Sequence, residues 1–224
     1  MTKSQTATIK HIETIAKDTL LVTFQGPPNF NFAAGQYITI TLPALANRPD
    51  VEQYRDFSVA SAPKLAPEFQ VALRQTNSLF KSALQILPIG TEVQLDGPAG
   101  VFTLSKLDTI RVFVAGGIGI TPFRSMFGDM NDHSNTELIY YNKDKQSVIF
   151  LDELPAISNF KYTVLYGKPS LSHFEIFQPR LTHISWYIAG PPDMVASVRR
   201  LLKALAVNDT MIRTEEFSGY ESSQ

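Results

Sequence analysis

Along the first hundred residues, apolar and polar positions alternate in short runs. "GQYITITLP" sets Ile38, Ile40 and Leu42 against Tyr37, Thr39 and Thr41, the period-2 pattern of a half-buried strand. "TATIKHIETIA" and "TLLVTFQG" are β-rich runs separated by Lys17 and Asp18, and "RDFSVASAP" and "EFQVALRQT" follow with Pro-rich breaks between them. One stretch has helical spacing instead: "SLFKSALQIL" places Leu79, Phe80, Ala83, Leu84 and Leu87 on one stripe, with Ser78 as its N-cap. "TEVQLDGPAGVFTL" then returns to strand. Many short strands with regular turn signals predict a small antiparallel barrel or sandwich.

The pattern changes near Ser105–Thr109. From "IRVFVAGG" onward strands alternate with helices: "TPFRSMFGDM" follows the first strand, "TELIYYN" is a second, "SVIFLDELPAI" is predicted helical, "FKYTVLYG" is a third strand and "ISWYIAG" a fourth. "PPDMVASVRRLLKAL" has the clearest helical stripe, with Met194, Val195, Val198, Leu201, Leu202 and Leu205 on one face. Alternating β and α predicts a parallel sheet covered on both faces. The fold class is therefore β followed by α/β: an antiparallel β-barrel domain over 1–105, then a Rossmann-like parallel-sheet domain over 106–224.

Composition narrows the chemistry. A hydrophobic content of 44% with 18% charged residues is ordinary for a globular protein, and 224 residues suffice for a substantial core. A net charge of −1 argues against bulk attraction to nucleic acid or an anionic membrane. No apolar run approaches the length of a membrane span and "MTKSQTATIK" has no hydrophobic signal core, so the expectation is a cytoplasmic protein. The absence of cysteine excludes a disulfide, a thiol nucleophile, a thiolate zinc site and a cysteine-ligated iron–sulfur cluster on this stretch. The four histidines, His11, His133, His173 and His183, share no metal-ligand spacing and are expected at the surface; no metal site is expected.

The most informative segment is "VFVAGGIGITP", residues 112–122. It is nearly a dinucleotide fingerprint, with Pro122 in the place of the third glycine. Gly116, Gly117 and Gly119 sit between a strand and a helix, where backbone N–H groups and a helix N-terminus can receive a phosphate. Pro122 suits a first helical turn and Thr121 can cap it. A tight β–α turn with no ligand explains the same glycines. The acidic ribose reader expected about 20 residues on is missing, since the second strand ends in Asn142, Lys143 and Lys145. Elsewhere, "YRDFSVASAP" puts Arg55, Phe57 and Ser58 at a strand end. They offer a guanidinium for a pyrophosphate, an aromatic face for a flat ring and a hydroxyl for a ring nitrogen.

Taken in order, "AAGQY" at 33–37, "RDFS" at 55–58, "GPAGVF" at 97–102, "GGIGITP" at 116–122, "AGPPDMV" at 189–195 and "EEFSGY" at 215–220 resemble the ferredoxin–NADP reductase superfamily across nearly the whole chain. Its members are flavoproteins built of an FAD-binding barrel and an NAD(P)-binding domain. The resemblance implies that Arg55 contacts the FAD pyrophosphate, Phe57 stacks on the isoalloxazine and Ser58 bonds near its N5. Ser61 and the backbone of Val71 to Leu73 border the flavin, while Ser78, Phe80 and Lys81 close over the pyrophosphate. Gly116, Gly117, Gly119, Thr121 and Pro122 face the NAD(P) pyrophosphate and nicotinamide, with Thr121 close to the nicotinamide. Gly190, Pro191 and Met194 flank the dinucleotide, and Glu216, Phe217 and Tyr220 reach back towards the flavin. Phe57 stands where relatives often have Tyr, and Ala189 where many have Cys. Read without the motif, Phe57 and Phe217 are equally well core aromatics, and Lys143 and Lys145 a solvated turn.

The implied activity is an FAD-dependent oxidoreductase taking hydride from NADH or NADPH onto flavin N5. Its electrons pass to a separate acceptor, either a ferredoxin- or flavodoxin-type protein or a small molecule such as free flavin, a quinone or a ferric chelate. The alternative is a non-catalytic nucleotide- or redox-sensing module of the same fold. A serine hydrolase lacks its Gly-x-Ser-x-Gly elbow here.

Overall fold

The computed structural model describes residues 5–48 and 50–217. Its backbone packs as two units: the chain through Thr103 together with Thr121–Asp129, and Leu104–Ile120 together with the chain from Met130 onward.

In the first unit, β1 (Gln5–Ala16), β2 (Thr19–Gln25), β3 (Tyr37–Thr41), β4 (Tyr54–Ser58), β5 (Glu68–Arg74) and β6 (Glu92–Ala99) form one antiparallel sheet in the order β4-β3-β6-β1-β2-β5. The Lys17–Asp18 turn between β1 and β2 works because Asp18 accepts a left-handed backbone (φ 50°). The alternation read in β3 holds, since Ile38 and Ile40 are fully buried while Tyr37, Thr39 and Thr41 are half-buried. The end strands meet just past β4, where the Ala60 N–H donates to the Gln70 carbonyl at 2.7 Å and the Gln70 N–H donates to Ser61 Oγ at 3.0 Å. These two bonds close the sheet into the expected barrel. Phe69 fills its centre, stacked on Phe24 at 5.2 Å and tilted against Phe30 at 4.9 Å.

The helical stripe at 79–87 forms α1 (Leu79–Ile86), which drives Phe80 and Leu84 into the barrel core. Ser78 is its N-cap residue, but its hydroxyl makes no capping bond. α2 (Ile120–Asp129) packs against the barrel. The Arg124 guanidinium donates to Ala60 O at 3.0 Å and to Gln70 Oε1 at 2.9 Å, and Ser125 Oγ donates to Ser61 O at 2.7 Å. α2 thus secures the residues that close the seam.

The second unit is a wholly parallel sheet. Its strands are β7 (Ile110–Gly116), β8 (Thr136–Asn142), β9 (Lys161–Tyr166), β10 (Ile184–Gly190) and β11 (Ile212–Glu216), in the order β11-β10-β7-β8-β9. β10 is buried along its whole length, as a central parallel strand should be. One face carries Trp186, which meets the rings of Phe174 and Phe177 edge-on at 5.9 and 5.3 Å. Val195, Val198 and Leu202 of α4 (Pro192–Ala204) complete that core. On the other face Tyr187 stacks on Phe113 at 5.1 Å, and its hydroxyl donates to the Asp108 carboxylate. The Ser185 hydroxyl donates to the same carboxylate at 2.7 Å, and the Ser105 N–H donates to Tyr187 Oη at 3.0 Å. Burial and the Asp108 hydrogen bond push the Tyr187 phenol up to about 12.

Several elements differ from the sequence reading. "SVIFLDELPAI" forms 3-10 turns at Lys145–Ser147 and Leu151–Ala156 in place of an α-helix. The Asp144 carboxylate accepts from the Ser147 N–H and hydroxyl, at 2.9 and 2.7 Å, tightening the first turn, and Pro155 has no N–H for a longer one. β11 is a fifth parallel strand that its polar residues concealed, and the four-residue α3 (Ser172–Glu175) has too few residues to show a period. His173 is not a free surface residue: its Nδ1 lies 2.8 Å from Tyr141 Oη, and burial raises the Tyr141 phenol. Thr121 is buried inside the first turn of α2, two residues past the cap position at Gly119.

Gly119 packs onto the chain's own backbone. A Cβ there would fall 2.7 Å from Gly190 N and closer still to the Ala189 carbonyl at the end of β10. Replacing Gly119 with Ala therefore forces this β–α turn away from β10. The expected loss is about 1–3 kcal/mol of stability in urea unfolding, and an unchanged midpoint would show that the turn yields freely.

Candidate functional site

The expected residues of the first unit gather where β4 meets α1. Arg55 and Phe57 alternate onto the inward face of β4, opposite Ile40 and Ile38 of β3. The Phe57 ring is buried and lies 6.1 Å from Phe80, while the Arg55 guanidinium sits over Phe80 at 5.8 Å. Phe80 is wholly buried, so it can anchor α1 and support the guanidinium but offers no surface to a ligand. Phe57 belongs to the barrel core, with only 8% of its surface exposed. Ser58 is buried at the strand end, opposite Tyr37. Ser61 Oγ accepts the Gln70 N–H and so serves the barrel seam. Lys81 lies partly exposed in the first turn of α1.

These groups suit a phosphate. Arg55 retains 29% of its side-chain surface, and the Ser78 hydroxyl does not cap the helix it precedes. In the loop leading to α1, the Gln75 side-chain NH2 is buried with no hydrogen-bond partner. Backbone N–H groups at a helix start, an Arg and an orphaned amide donor are what a phosphate would satisfy. Sequence reasoning passed over Gln75, which has no motif to mark it.

The second unit brings its residues to the carboxyl edge of the parallel sheet. Gly116 ends β7 and Gly190 ends β10. A Cβ on Gly116 would meet Met194 Cε at 2.5 Å and Pro191 Cδ at 3.0 Å, so these three expected residues form one packed corner. Gly117 takes a left-handed backbone (φ 53°), and its carbonyl accepts from Tyr140 Oη at 3.1 Å. Glu216 pairs with Gly190 across β11 and β10, and the Phe217 N–H donates to the Gly190 carbonyl at 3.0 Å. Tyr220 lies outside the described residues. Thr121 and Pro122 are buried in the first turn of α2.

Asn142 completes this edge. It ends β8 with only 5% of its surface exposed, and neither its amide oxygen nor its nitrogen has a partner. A buried amide with both ends unsatisfied costs stability unless a ligand pairs with it. Its position at the carboxyl end of a parallel strand is where such sheets bind nucleotides. Lys143 and Lys145 beside it are exposed, whereas Asp144 is engaged by Ser147.

Comparison with known proteins agrees with this architecture. Residues 6–104 match the family described as the oxidoreductase FAD-binding domain. Among curated proteins the chain is similar to the anthranilate 1,2-dioxygenase electron transfer component of Acinetobacter baylyi, 25% identical over 206 residues, which span 84% of this chain and 58% of that protein. It is similar also to the 3-ketosteroid-9-alpha-monooxygenase ferredoxin reductase component of Mycobacterium tuberculosis, 28% identical over 209 residues, or 88% of this chain and 58% of that protein. The chain thus spans little more than half the length of these relatives. In fold it resembles a ferredoxin NADP+ reductase from Neisseria gonorrhoeae solved with bound FAD and NADP. The TM-score is 0.80 at 19% identity, covering 96% of this chain and 99% of that one. The family match thus covers the first hundred residues, and the likeness over the whole chain is one of fold.

Glu215, in β11, is half-buried, and desolvation raises its carboxyl above the ordinary value. The native state therefore binds this proton more tightly than the unfolded chain, so the group's contribution to stability falls as pH rises through the interval between the two values. Glu215→Gln should raise the urea midpoint at pH 7, and the gain should vanish once pH drops below the unperturbed 4.5. A gain that persisted at lower pH would locate the effect elsewhere than in the ionised carboxylate.

Proposed function

We propose that the chain is an FAD-dependent oxidoreductase that takes reducing equivalents from NADH or NADPH and delivers them to a separate acceptor, most simply a ferredoxin-type protein. The observation that carries the reading is the occurrence, in one chain, of a barrel matching an FAD-binding domain and a parallel sheet with an unsatisfied amide at its carboxyl edge. The named roles of the relatives, an electron transfer component and a ferredoxin reductase component, favour electron delivery over substrate chemistry.

In this reading bound FAD supplies the exchange between a two-electron hydride and single electrons. Arg55 and the first turn of α1 hold the flavin's phosphates, with Ser78 and Lys81 beside them. Ser58, buried at the end of β4, would hydrogen-bond near the flavin N5. Gly116, Gly117, Gly190, Pro191 and Met194 shape the nucleotide site in the second unit, and Asn142 supplies a donor and an acceptor to the bound nicotinamide nucleotide. Thr121 and Glu216 remain the proposed polar neighbours of the nicotinamide and the flavin. Since the 224 residues contain no cysteine, a cysteine-ligated iron–sulfur acceptor lies elsewhere.

The purified protein should be yellow, and its flavin bands should bleach anaerobically on adding NADH or NADPH. A colourless protein that takes up no FAD would sink the proposal, while FAD-loaded protein reduced by neither nucleotide would favour a binding module. Arg55→Ala removes charge-assisted bonds worth about 1.5–3 kcal/mol, so FAD should bind at least about tenfold more weakly. Asn142→Leu should leave the urea midpoint unchanged or higher while raising the KM for the nicotinamide nucleotide. A loss of stability with an unchanged KM would make Asn142 a purely structural residue.

A further inference from the structure

Arg55 already has an anion. The chain turns at 50–51, and the carboxylate of Glu52, three residues before Arg55, forms an ion pair with the Arg55 guanidinium. The neighbouring carboxylate is not available for this task, because Asp50 is taken in a two-point pair with Arg48, at 3.1 and 3.0 Å. Arg55 also donates to the Tyr54 carbonyl at 2.9 Å and rests over the Phe80 ring, so its backbone bond and its ring contact hold it beside the first turn of α1. The movable member of the set is Glu52, whose side chain is 53% exposed against 29% for Arg55.

We infer that Glu52 is a built-in competitor for the flavin phosphate: its carboxylate pairs with the Arg55 guanidinium and must leave when a phosphorylated flavin binds. The inference rests on the assignment of Arg55 to the flavin phosphates. An exposed carboxylate pair contributes only about 0.2–1 kcal/mol, so a phosphate with more acceptor oxygens and more charge displaces it. Once displaced, the carboxylate stays within a few residues of the phosphate and repels it. Both effects act in the same direction, weakening affinity for phosphorylated flavins while sparing the ring system. Glu52 thereby helps set how tightly the protein retains its flavin, and the device lies in the loop before β4 rather than in the motif itself.

The test titrates the full chain, freed of flavin, with FAD and with riboflavin, which has the ring but no phosphate, following flavin fluorescence. Glu52→Gln should tighten FAD binding up to about fivefold and leave riboflavin binding unchanged. Arg55→Ala should weaken FAD and not riboflavin. In the double variant the gain from Glu52→Gln should shrink, since the competed cation is gone. If Glu52→Gln leaves FAD affinity unchanged or lowers it while Arg55→Ala still weakens it, Glu52 is no competitor and the assignment of Arg55 stands. If Arg55→Ala leaves FAD affinity unchanged, the assignment itself fails and the competition with it.

Discussion

The second unit depends on a backbone meeting a backbone. Gly119 lies so close to the Ala189 carbonyl and Gly190 N that no side chain fits between them. That approach fixes the turn after β7 against the end of β10, and with it the corner made by Gly116, Pro191 and Met194. Tyr140 supports the turn from a third strand through the Gly117 carbonyl. The Phe217 N–H ties the end of β11 to Gly190. β7, β10 and β11 therefore terminate in register, and the amide of Asn142 at the end of β8 lies at that edge with its hydrogen bonds unmade. Glycine here serves the packing of the protein on itself first. Of Gly116, Gly117 and Gly119, only Gly117 takes the left-handed backbone that favours glycine.

The barrel shows a similar overlap between folding and binding. Ser61 was expected beside the flavin, and its oxygen is the acceptor that closes the seam between β4 and β5. Phe57 was expected on a flat ring, and its own ring is packed on Phe80 within the core. Phe80 in turn supports the guanidinium of Arg55. The residues in the motif are held in place by the same contacts that make the barrel, which is how a loop-rich strand end keeps its polar groups aimed.

What the sequence made legible is local and periodic. The alternation of Ile38 and Ile40 located β3, the stripe from Val195 to Leu202 located α4, and Phe80 with Leu84 marked the buried face of α1. Elements without a period stayed hidden: β11 is written "IRTEE", and its strand character comes from pairing with β10. Long-range polar contacts were equally out of reach. Nothing near Asp108 announces Tyr187, 79 residues away, and nothing near Ser125 announces Ser61. The motif residues of the candidate site were found by their company in order along the chain. Gln75, Asn142 and Glu52 were not, because what distinguishes them is an unmade bond or an anion on the wrong partner, and both are properties of three dimensions.

The route of α2 has a consequence for how such a chain can be divided. The backbone leaves the second unit after Ile120, gives the first unit a helix, and returns at Met130. A gene fragment that stopped where the last barrel strand ends would encode every strand of the sheet and yet omit Arg124 and Ser125. The carbonyls of Ala60 and Ser61 and the side chain of Gln70 would then lose the donors that satisfy them. The two units are interleaved in sequence, so neither can be inherited, shuffled or excised by a single cut without leaving part of itself in the other.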